Sequence, residues 1–352
     1  MKITIGIPVR NGERYLGDAI ASALAQSRPA DEVLVVDDAS EDATAGIARS
    51  SKWAGRVRYV LNECPTGWAN AFTRVYQLSK CDYAVILCAD DLLDSECLAV
   101  LERSLTTFAW ARLAYVGCRY VDTRGSVIDA SPEPHCKDAV VLDGEAYVAN
   151  WLQGVRTNRL IHRCAGVAIQ NRLVVDQCEF RREAGLIADT DFFVRAGALT
   201  AVVGVSQPFA TVRLHGGSIS ASYESLVLRL AEDYMFQVRQ YGGRGSVRGG
   251  APATVFHEMA ARMIAQLMTE SICRGRPEWL QKALSWREEF DAVVPGYRPP
   301  RMRWIQDATW RFAEGRMRGA VALLAASRAS GFVRAVRRKV LGIGGQRRAM
   351  RK

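Results

Sequence analysis

The chain has no apolar run of about 18 residues or more, so no helix long and greasy enough to span a bilayer is expected. It has no CxxC pair and no Cys/His spacing of the zinc type, although nine cysteines are present, at 64, 81, 88, 97, 118, 136, 164, 178 and 273. Scattered and odd in number, they are expected to be reduced thiols in a cytosolic setting. The glycine-rich GxGxxG of a dinucleotide fold is missing after every strand-like stretch, which argues against a nicotinamide-dependent dehydrogenase. Met1-Lys2 runs directly into a strand-like sequence without the basic, apolar and small-residue order of a signal peptide, so a cytoplasmic protein is expected. Histidine is scarce, and three of the four, His135, His162 and His257, show no partner pattern.

What is present suffices for a full core: 352 residues, 49% of them hydrophobic, fit one main domain with an appendage. The formal charge of +10 is regional. Residues 251–352 hold 20 Lys and Arg against 8 Asp and Glu, a net +12, which leaves −2 for residues 1–250. An anionic surface partner therefore belongs to the C-terminus, and a nucleic-acid partner is not implied.

Residues 3–8, 33–36, 57–61 and 83–88 are short apolar runs of the kind found in buried parallel strands. Helical patterns separate them. Leu16, Ile20 and Leu24 repeat every fourth residue, a second helix follows a Ser40 cap, and a third runs from about Trp68 to Ser79. This β-α-β-α order predicts an α/β fold with a doubly wound, mostly parallel sheet. A helix from an Asp94 cap to Ala109 leads into LAYVGCRYV (113–121), a turn at Asp122–Gly125 and a further strand, a hairpin leaving the sheet. Residues 143–153 read as helix, 164–170 as strand, 188–199 as helix and 210–214 as strand; beyond Ser222 the pattern is almost wholly helical. A boundary near residue 245 divides the main domain (1–245) from a helical, basic C-terminal region (246–352).

In doubly wound sheets ligands lie beyond the carboxyl ends of the strands, where Pro8 to Asn11, Asp37-Asp38 and Asp90-Asp91 all fall. Ala89-Asp90-Asp91 directly follows the apolar run 83–88. Paired carboxylates at the end of a buried strand suit a divalent cation and a phosphate ester; taken alone, they read equally well as a turn or a helix cap.

The segments IPVRNGERYLGDAIASALAQ, EVLVVDDASEDAT and ADDLLD, the GxxxA element Gly67/Ala71, ADTDFFVRAG and VRLHGGSIS occur in order between Ile7 and Ser220. Together they resemble family 2 inverting glycosyltransferases with the GT-A fold. That resemblance implies transfer of a sugar from a nucleoside-diphosphate donor to an acceptor hydroxyl, with Mg²⁺ or Mn²⁺ as cofactor. Position by position, it implies that Pro8, Arg10, Asn11 and Gly67 line the nucleotide pocket, that Asp38 reads the base, and that Asp90 (on the nucleotide side) and Asp91 form the metal motif. Asp189 takes the place of the catalytic base, with Asp191 as runner-up; two residues along a helix turn about 200°, so both cannot face the acceptor. His215 is read as a metal ligand or diphosphate donor, with Arg213 beside it for the diphosphate. The sequence departs from the family pattern at Ala188, where an acidic residue is usual, at Arg10 for Tyr, and at Thr73 for Asn.

Trp68 reads either as a stacking partner for the nucleobase or as packing against the sheet. Asp37 reads as a backbone hydrogen-bonding partner. Residues 300–352 carry 14 Lys and Arg, Trp304 and Trp310, and an apolar stripe of Val333, Val336 and Val340. That composition fits both an interfacial helix on anionic lipid and a solvated basic tail. The implied partners are a nucleotide-sugar donor and a saccharide or lipid-linked acceptor, in cell-surface polysaccharide or glycolipid synthesis at the inner face of the cytoplasmic membrane. Two other readings stand beside this one. The first is a non-catalytic sugar-nucleotide-binding or scaffold protein; the second is a sugar nucleotidyltransferase, disfavoured because Pro8 to Arg14 lacks a glycine-rich, Arg-containing loop.

Overall fold

The computed structural model describes residues 1–131, 139–157, 159–217, 226–241, 250–274 and 276–297. The chain divides into two units, Met1–Tyr223 and Glu224–Lys352. The boundary expected near residue 245, Ser218 to Ser220 of the VRLHGGSIS segment, His135 and the basic tail with Trp304 and Trp310 lie outside the described residues.

The first unit opens with β1 (Ile3–Val9), α1 (Leu16–Leu24), β2 (Glu32–Asp37), α2 (Thr44–Ala48), β3 (Arg58–Leu61), α3 (Trp68–Leu78) and β4 (Tyr83–Ile86). Every residue of β1 is buried, as a strand covered on both faces must be. It pairs in parallel with β2 from Thr4/Glu32 to Val9/Asp37, and with β4 only from Ile3/Tyr83 to Gly6/Ile86. Pro8 has no N–H to offer a ladder, and it falls where β4 has already left β1. In α1, Leu16 and Ile20 of the predicted stripe are buried together with Ala19 and Ala23, while Leu24 is only partly buried. Leu16 and Ile20 are fully enclosed, each contributing about 2 kcal/mol of hydrophobic stabilisation. Helix α3 can lie close on β1 because Gly6 has no side chain: a Cβ there would sit 2.0 Å from Val75 Cγ1.

The unit continues with β5 (Leu92–Leu93), α4 (Cys97–Thr107), β6 (Leu113–Val121), β7 (Val127–Ser131), β8 (Val140–Leu142), α5 (Gly144–Thr157), β9 (Val167–Gln170), α6 (Asn171–Gln177), α7 (Ala188–Gly197) and β10 (Val202–Arg213). The strand order is β3-β2-β1-β4-β9-β6-β10-β5, with β7 beside β6 and β8 beside β10. Strand β9 runs antiparallel to both β4 and β6, whereas β6 and β10 are parallel. The sheet is thus parallel where it carries the ends of β1, β2 and β4 and mixed beyond them.

Several local expectations need correction. Strand β6 does not leave the sheet but lies inside it, between β9 and β10, and β7 pairs antiparallel with it to complete the expected hairpin within the same sheet. Strand β10 starts at Val202, well before residue 210, and its alternation is hidden because its register with β6 shifts between Val205 and Pro208 and again between Pro208 and Ala210. Ser40 does not cap α2, whose N-cap position is Ala43; its hydroxyl instead accepts the Asn11 N–H at 2.8 Å. Asp94 does not cap α4 with its side chain, which pairs with Arg119; the N-cap position is Glu96.

The second unit consists, among the described residues, of α8 (Leu226–Tyr241), α9 (Gly250–Arg274) and α10 (Pro277–Val293). Proline in the first turn of α10 costs nothing there, since its missing N–H would have had no helical acceptor. Met235, Val238, Phe256, Ile264, Met268 and Phe290 form the buried face. The Arg239 guanidinium forks onto Glu289 at 2.5 and 2.9 Å, joining α8 to α10. No described helix is long and apolar enough to cross a membrane.

Candidate active site

The loops after β1 and β2 are braced against each other. Asn11 N–H donates to Ser40 Oγ at 2.8 Å, Glu41 N–H donates back to Asn11 Oδ1 at 2.9 Å, and Gly12 N–H donates to Thr44 Oγ1 at 2.8 Å. Asn11 (φ 52°) and Ala39 (φ 59°) both take left-handed backbone conformations here. Asn accepts that region readily; Ala does so at a cost of about 1 kcal/mol, borne by the surrounding bonds. Pro8 is buried beneath the loop, while Arg10 and Asn11 are exposed at its rim.

At the end of β2 the two aspartates have separate duties. Asp37 accepts from Ser40 N–H at 2.8 Å and from Tyr59 Oη at 2.6 Å. Asp38 is 2% exposed. Its Oδ1 accepts from Asn62 Nδ2, Thr66 N–H and Thr66 Oγ1 at 2.9, 2.8 and 2.7 Å, and its Oδ2 accepts from Gly67 N–H at 2.9 Å. Burial alone would raise this carboxyl; the four hydrogen bonds outweigh it and hold Asp38 below the usual carboxylate range. Asp38 thereby ties β2 to the turn that launches α3, with Oδ2 the less occupied oxygen. Gly67 is at the N-cap of α3 with φ 90°, a conformation natural to glycine. Trp68 is half-buried and packs edge-on against Phe72, ring centroids 5.2 Å apart.

Beyond β4 the chain delivers Cys88, Asp90 and Asp91, whose ligand atoms all lie within 4.8 Å of one another. Asp91 is 6% exposed and its Oδ1 accepts the Arg213 N–H at 3.0 Å. Burial first, and then the charge of Asp90, push the Asp91 carboxyl well above its ordinary value. Two neighbouring carboxylates and a thiol, with no cationic side chain bonded to the Asp91 carboxylate among the described residues, form an electron-rich donor set that a divalent cation would relieve. The residues therefore fit such an ion, with Asp91 and Asp90 as its hard oxygen donors.

Strand β10 supplies the opposite wall. Arg213 Nε donates to the Asp90 carbonyl at 3.1 Å, and its Nη2 lies 3.6 Å from Asp18 Oδ2. His215 Nε2 is 3.0 Å from Asp90 Oδ2, and its Nδ1 accepts the Gly217 N–H at 3.2 Å. The accepted backbone hydrogen leaves Nδ1 unprotonated in the neutral ring, so Nε2 carries the hydrogen and donates it to Asp90. In this arrangement His215 hydrogen-bonds to the Asp90 carboxylate.

Asp189 and Asp191 both lie in the first turn of α7, with unlike surroundings. Asp191 is fully buried, and its Oδ2 is gripped by Arg195 Nε and Nη2 at 2.8 and 2.6 Å. Asp189 is only partly buried and takes the Thr190 N–H at 2.7 Å. Its carboxyl is raised by burial, an effect partly countered by the positive charge of Arg163, which also acts on Asp91. Thr73 Oγ1, on α3, accepts the Phe180 N–H at 3.1 Å.

Arg163 carries no sequence signal: it stands in a polar stretch between the readable helix and strand. Its Nε donates to Tyr120 Oη at 2.9 Å, and its carbonyl receives His162 Nδ1–H at 3.1 Å. His162 is enclosed by Tyr115, Trp151 and Phe193, each with its ring centroid 4.6 Å away, and accepts from Tyr147 Oη at 2.8 Å. Burial pushes its pKa to about 3, which keeps the ring neutral as a packing element. Tyr15, to which the sequence assigns no role, packs against the Arg213 and His215 side chains.

Residues 4–125 match the model of glycosyl transferase family 2. Over 90 residues the chain is 38% identical to the uncharacterized glycosyltransferase RT0329 of Rickettsia typhi, a stretch covering 26% of this chain and 27% of that relative. A second relative, RP339 of Rickettsia prowazekii, is 43% identical over 61 residues, 17% of this chain and 19% of its own length. The chain thus aligns with about a quarter or less of these relatives. Among solved structures, residues 1–349 of S. aureus TarS in complex with UDP-GlcNAc superpose with a TM-score of 0.62 at 15% identity, over 93% of this chain and 91% of that one. The mannosyltransferase PcManGT of Pyrobaculum calidifontis, in complex with GDP-Man and Mn²⁺, superposes with a TM-score of 0.51 at 17% identity, over 95% and 82% of the respective chains. Residues 4–125 thus match glycosyl transferase family 2 in sequence, and the fold is the GT-A type shared with these structures.

Proposed function

We propose that this protein transfers a sugar from a nucleoside-diphosphate donor to an acceptor hydroxyl, with inversion at the anomeric carbon and dependence on Mg²⁺ or Mn²⁺. The observation that carries this reading is Asp91: a nearly enclosed carboxyl beside a second one, at the end of a strand in the matched segment, with Arg213 and His215 closing on the same pair. Asp91 and Asp90 would hold the cation, which when bound supplies charge neutralisation for the departing diphosphate. Arg213 adds a fixed positive charge beside it, and His215 holds Asp90 in place. Pro8, Arg10, Asn11, Asp38 and Gly67 would form the nucleotide side of the crevice. The UDP-GlcNAc of TarS and the GDP-Man and Mn²⁺ of PcManGT support a nucleotide-sugar donor and a divalent metal.

Asp189 would act as the base. A carboxyl raised by burial binds a proton more strongly than an exposed one, and the Arg163 charge partly offsets that rise. Asp191 is unsuited to that role because Arg195 occupies it. Asp189 would take the acceptor hydroxyl proton as the oxygen attacks the anomeric carbon from the side opposite the diphosphate. An α-linked donor would then give a β-linked product. By resemblance, the setting is cell-surface polysaccharide or glycolipid synthesis at the cytoplasmic face of the membrane, with the basic C-terminal region near anionic lipid.

The test is thermal stability of the purified protein against a panel of nucleoside diphosphates and nucleotide sugars, with and without Mn²⁺. A metal-dependent rise with one of them, lost in Asp91→Ala, is expected. No rise with any of them would overturn the reading in favour of a scaffold protein.

A further inference from the structure

Tyr15 occupies the N-cap position of α1 and is fixed by its backbone, since its N–H donates to the Gly12 carbonyl at 3.1 Å. Its side chain is 9% exposed. The Arg213 guanidinium carbon lies 4.3 Å from the ring centroid, and the His215 ring centroid is 5.0 Å away. Arg14 approaches the same ring at 4.9 Å. The Tyr15 hydroxyl is buried and has no hydrogen-bond partner among the described residues. The ring, and not the hydroxyl, therefore accounts for the contacts seen.

Arg213 and His215 are the two residues that reach Asp90 and Asp91 from β10: Arg213 through the Asp90 carbonyl and the Asp91 carboxylate, and His215 through the Asp90 carboxylate. A long arginine at a strand end has many rotamers, and an anion-binding site gains only if those are narrowed before the anion arrives. The face of an aromatic ring does this for a cation without spending any of the guanidinium N–H groups, which remain for carboxylate or phosphate oxygens.

We propose that Tyr15 is a positioning residue for the donor diphosphate: its ring holds Arg213 and His215 in the poses from which they serve the Asp90-Asp91 pair. This rests on the transferase reading of that site. It predicts a selective effect, because the ring packs on Arg213 and His215, the residues assigned to the diphosphate side of the crevice.

The experiment compares the native chain with Tyr15→Phe and Tyr15→Leu, measuring calorimetric affinity for UDP and GDP in Mn²⁺, and for UMP and GMP in the same buffer. Thermal unfolding of each ligand-free variant checks folding. With native protein binding one of the diphosphates, Tyr15→Leu is expected to bind it about tenfold more weakly, with the monophosphate affinity unchanged, the loss of one cation–aromatic contact. Tyr15→Phe keeps the ring and is expected to match the native chain. Equal diphosphate affinity in Tyr15→Leu, or equal losses for diphosphate and monophosphate, would overturn the positioning role and leave the transferase reading standing. Should native protein bind neither UDP nor GDP, the transferase reading of the site fails and the role of Tyr15 falls with it.

Discussion

His215 donates its Nε2 hydrogen to Asp90 Oδ2 across 3.0 Å, because Nδ1 is already committed to the Gly217 N–H. A carboxylate so oriented would present a fixed edge to a cation, and on the proposed reading histidine would act on the metal through that carboxylate. His215→Ala is therefore expected to weaken Mn²⁺ activation of donor hydrolysis by about 10- to 100-fold, the usual effect of removing an orienting partner, while Asp91→Ala abolishes it. Titrating Mn²⁺ against hydrolysis rate distinguishes the two.

The two acidic residues of α7 predict opposite failures. Asp189→Asn should lower kcat by about 10²- to 10⁴-fold with diphosphate affinity intact, as for loss of a general base. Asp191→Asn strips Arg195 of the carboxylate that holds it in a buried setting and should cost about 3 kcal/mol of stability. Single-turnover kinetics on the first and denaturant unfolding of the second are the measurements.

Asp38 makes a prediction about hydrogen-bond polarity. An amide at this position would place an N–H₂ group among donors, so Asp38→Asn should be no milder than Asp38→Ala, each losing about 2 kcal/mol. Since the folded carboxyl is held below its unfolded value, its contribution is present at neutral pH and is lost as pH falls through the folded pKa. Urea unfolding at neutral and acid pH should show native protein converging on the variants at the acid end.

Asp91 gives the reverse slope. Its folded carboxyl is raised by burial and by Asp90, so in chelator the folded form binds its proton more tightly than the unfolded one. Stability should then fall as pH rises from the ordinary carboxylate range towards the raised value, with Asp189 contributing in the same direction. Melting curves in EDTA should show this decline, a flatter profile in Asp91→Asn, and recovery of the native chain with Mn²⁺ at neutral pH.

Much of this was readable in the residues. The buried runs of β1, β2 and β4 and the apolar stripe of α1 follow from continuous apolar stretches and four-residue spacing, whereas β3, read as one of the buried runs, is a half-exposed strand at the end of the sheet; Asp90-Asp91 was marked by its place after an apolar run. Strand β10 was read only at its end because a strand with two register shifts no longer alternates. Ser40 looked like a helix cap since capping serines and loop-bracing serines share the same short-range context; only the fold brings Asn11 to it. The setting of Arg213 on Tyr15 is set by topology, which returns β10 to the entry of α1, and local sequence carries no trace of it. The same holds for the Arg163 charge acting on both Asp91 and Asp189.

The brace between the loops after β1 and β2 has a further consequence. Asn11 and Ala39 are held in their unusual backbone conformations by reciprocal bonds with Ser40 and Glu41, made without any ligand. The entropy of shaping that wall is therefore spent when the chain folds, and the nucleotide of the proposed donor would meet a rim already cast. Association with this side of the crevice should accordingly be fast and limited by encounter rather than by loop closure.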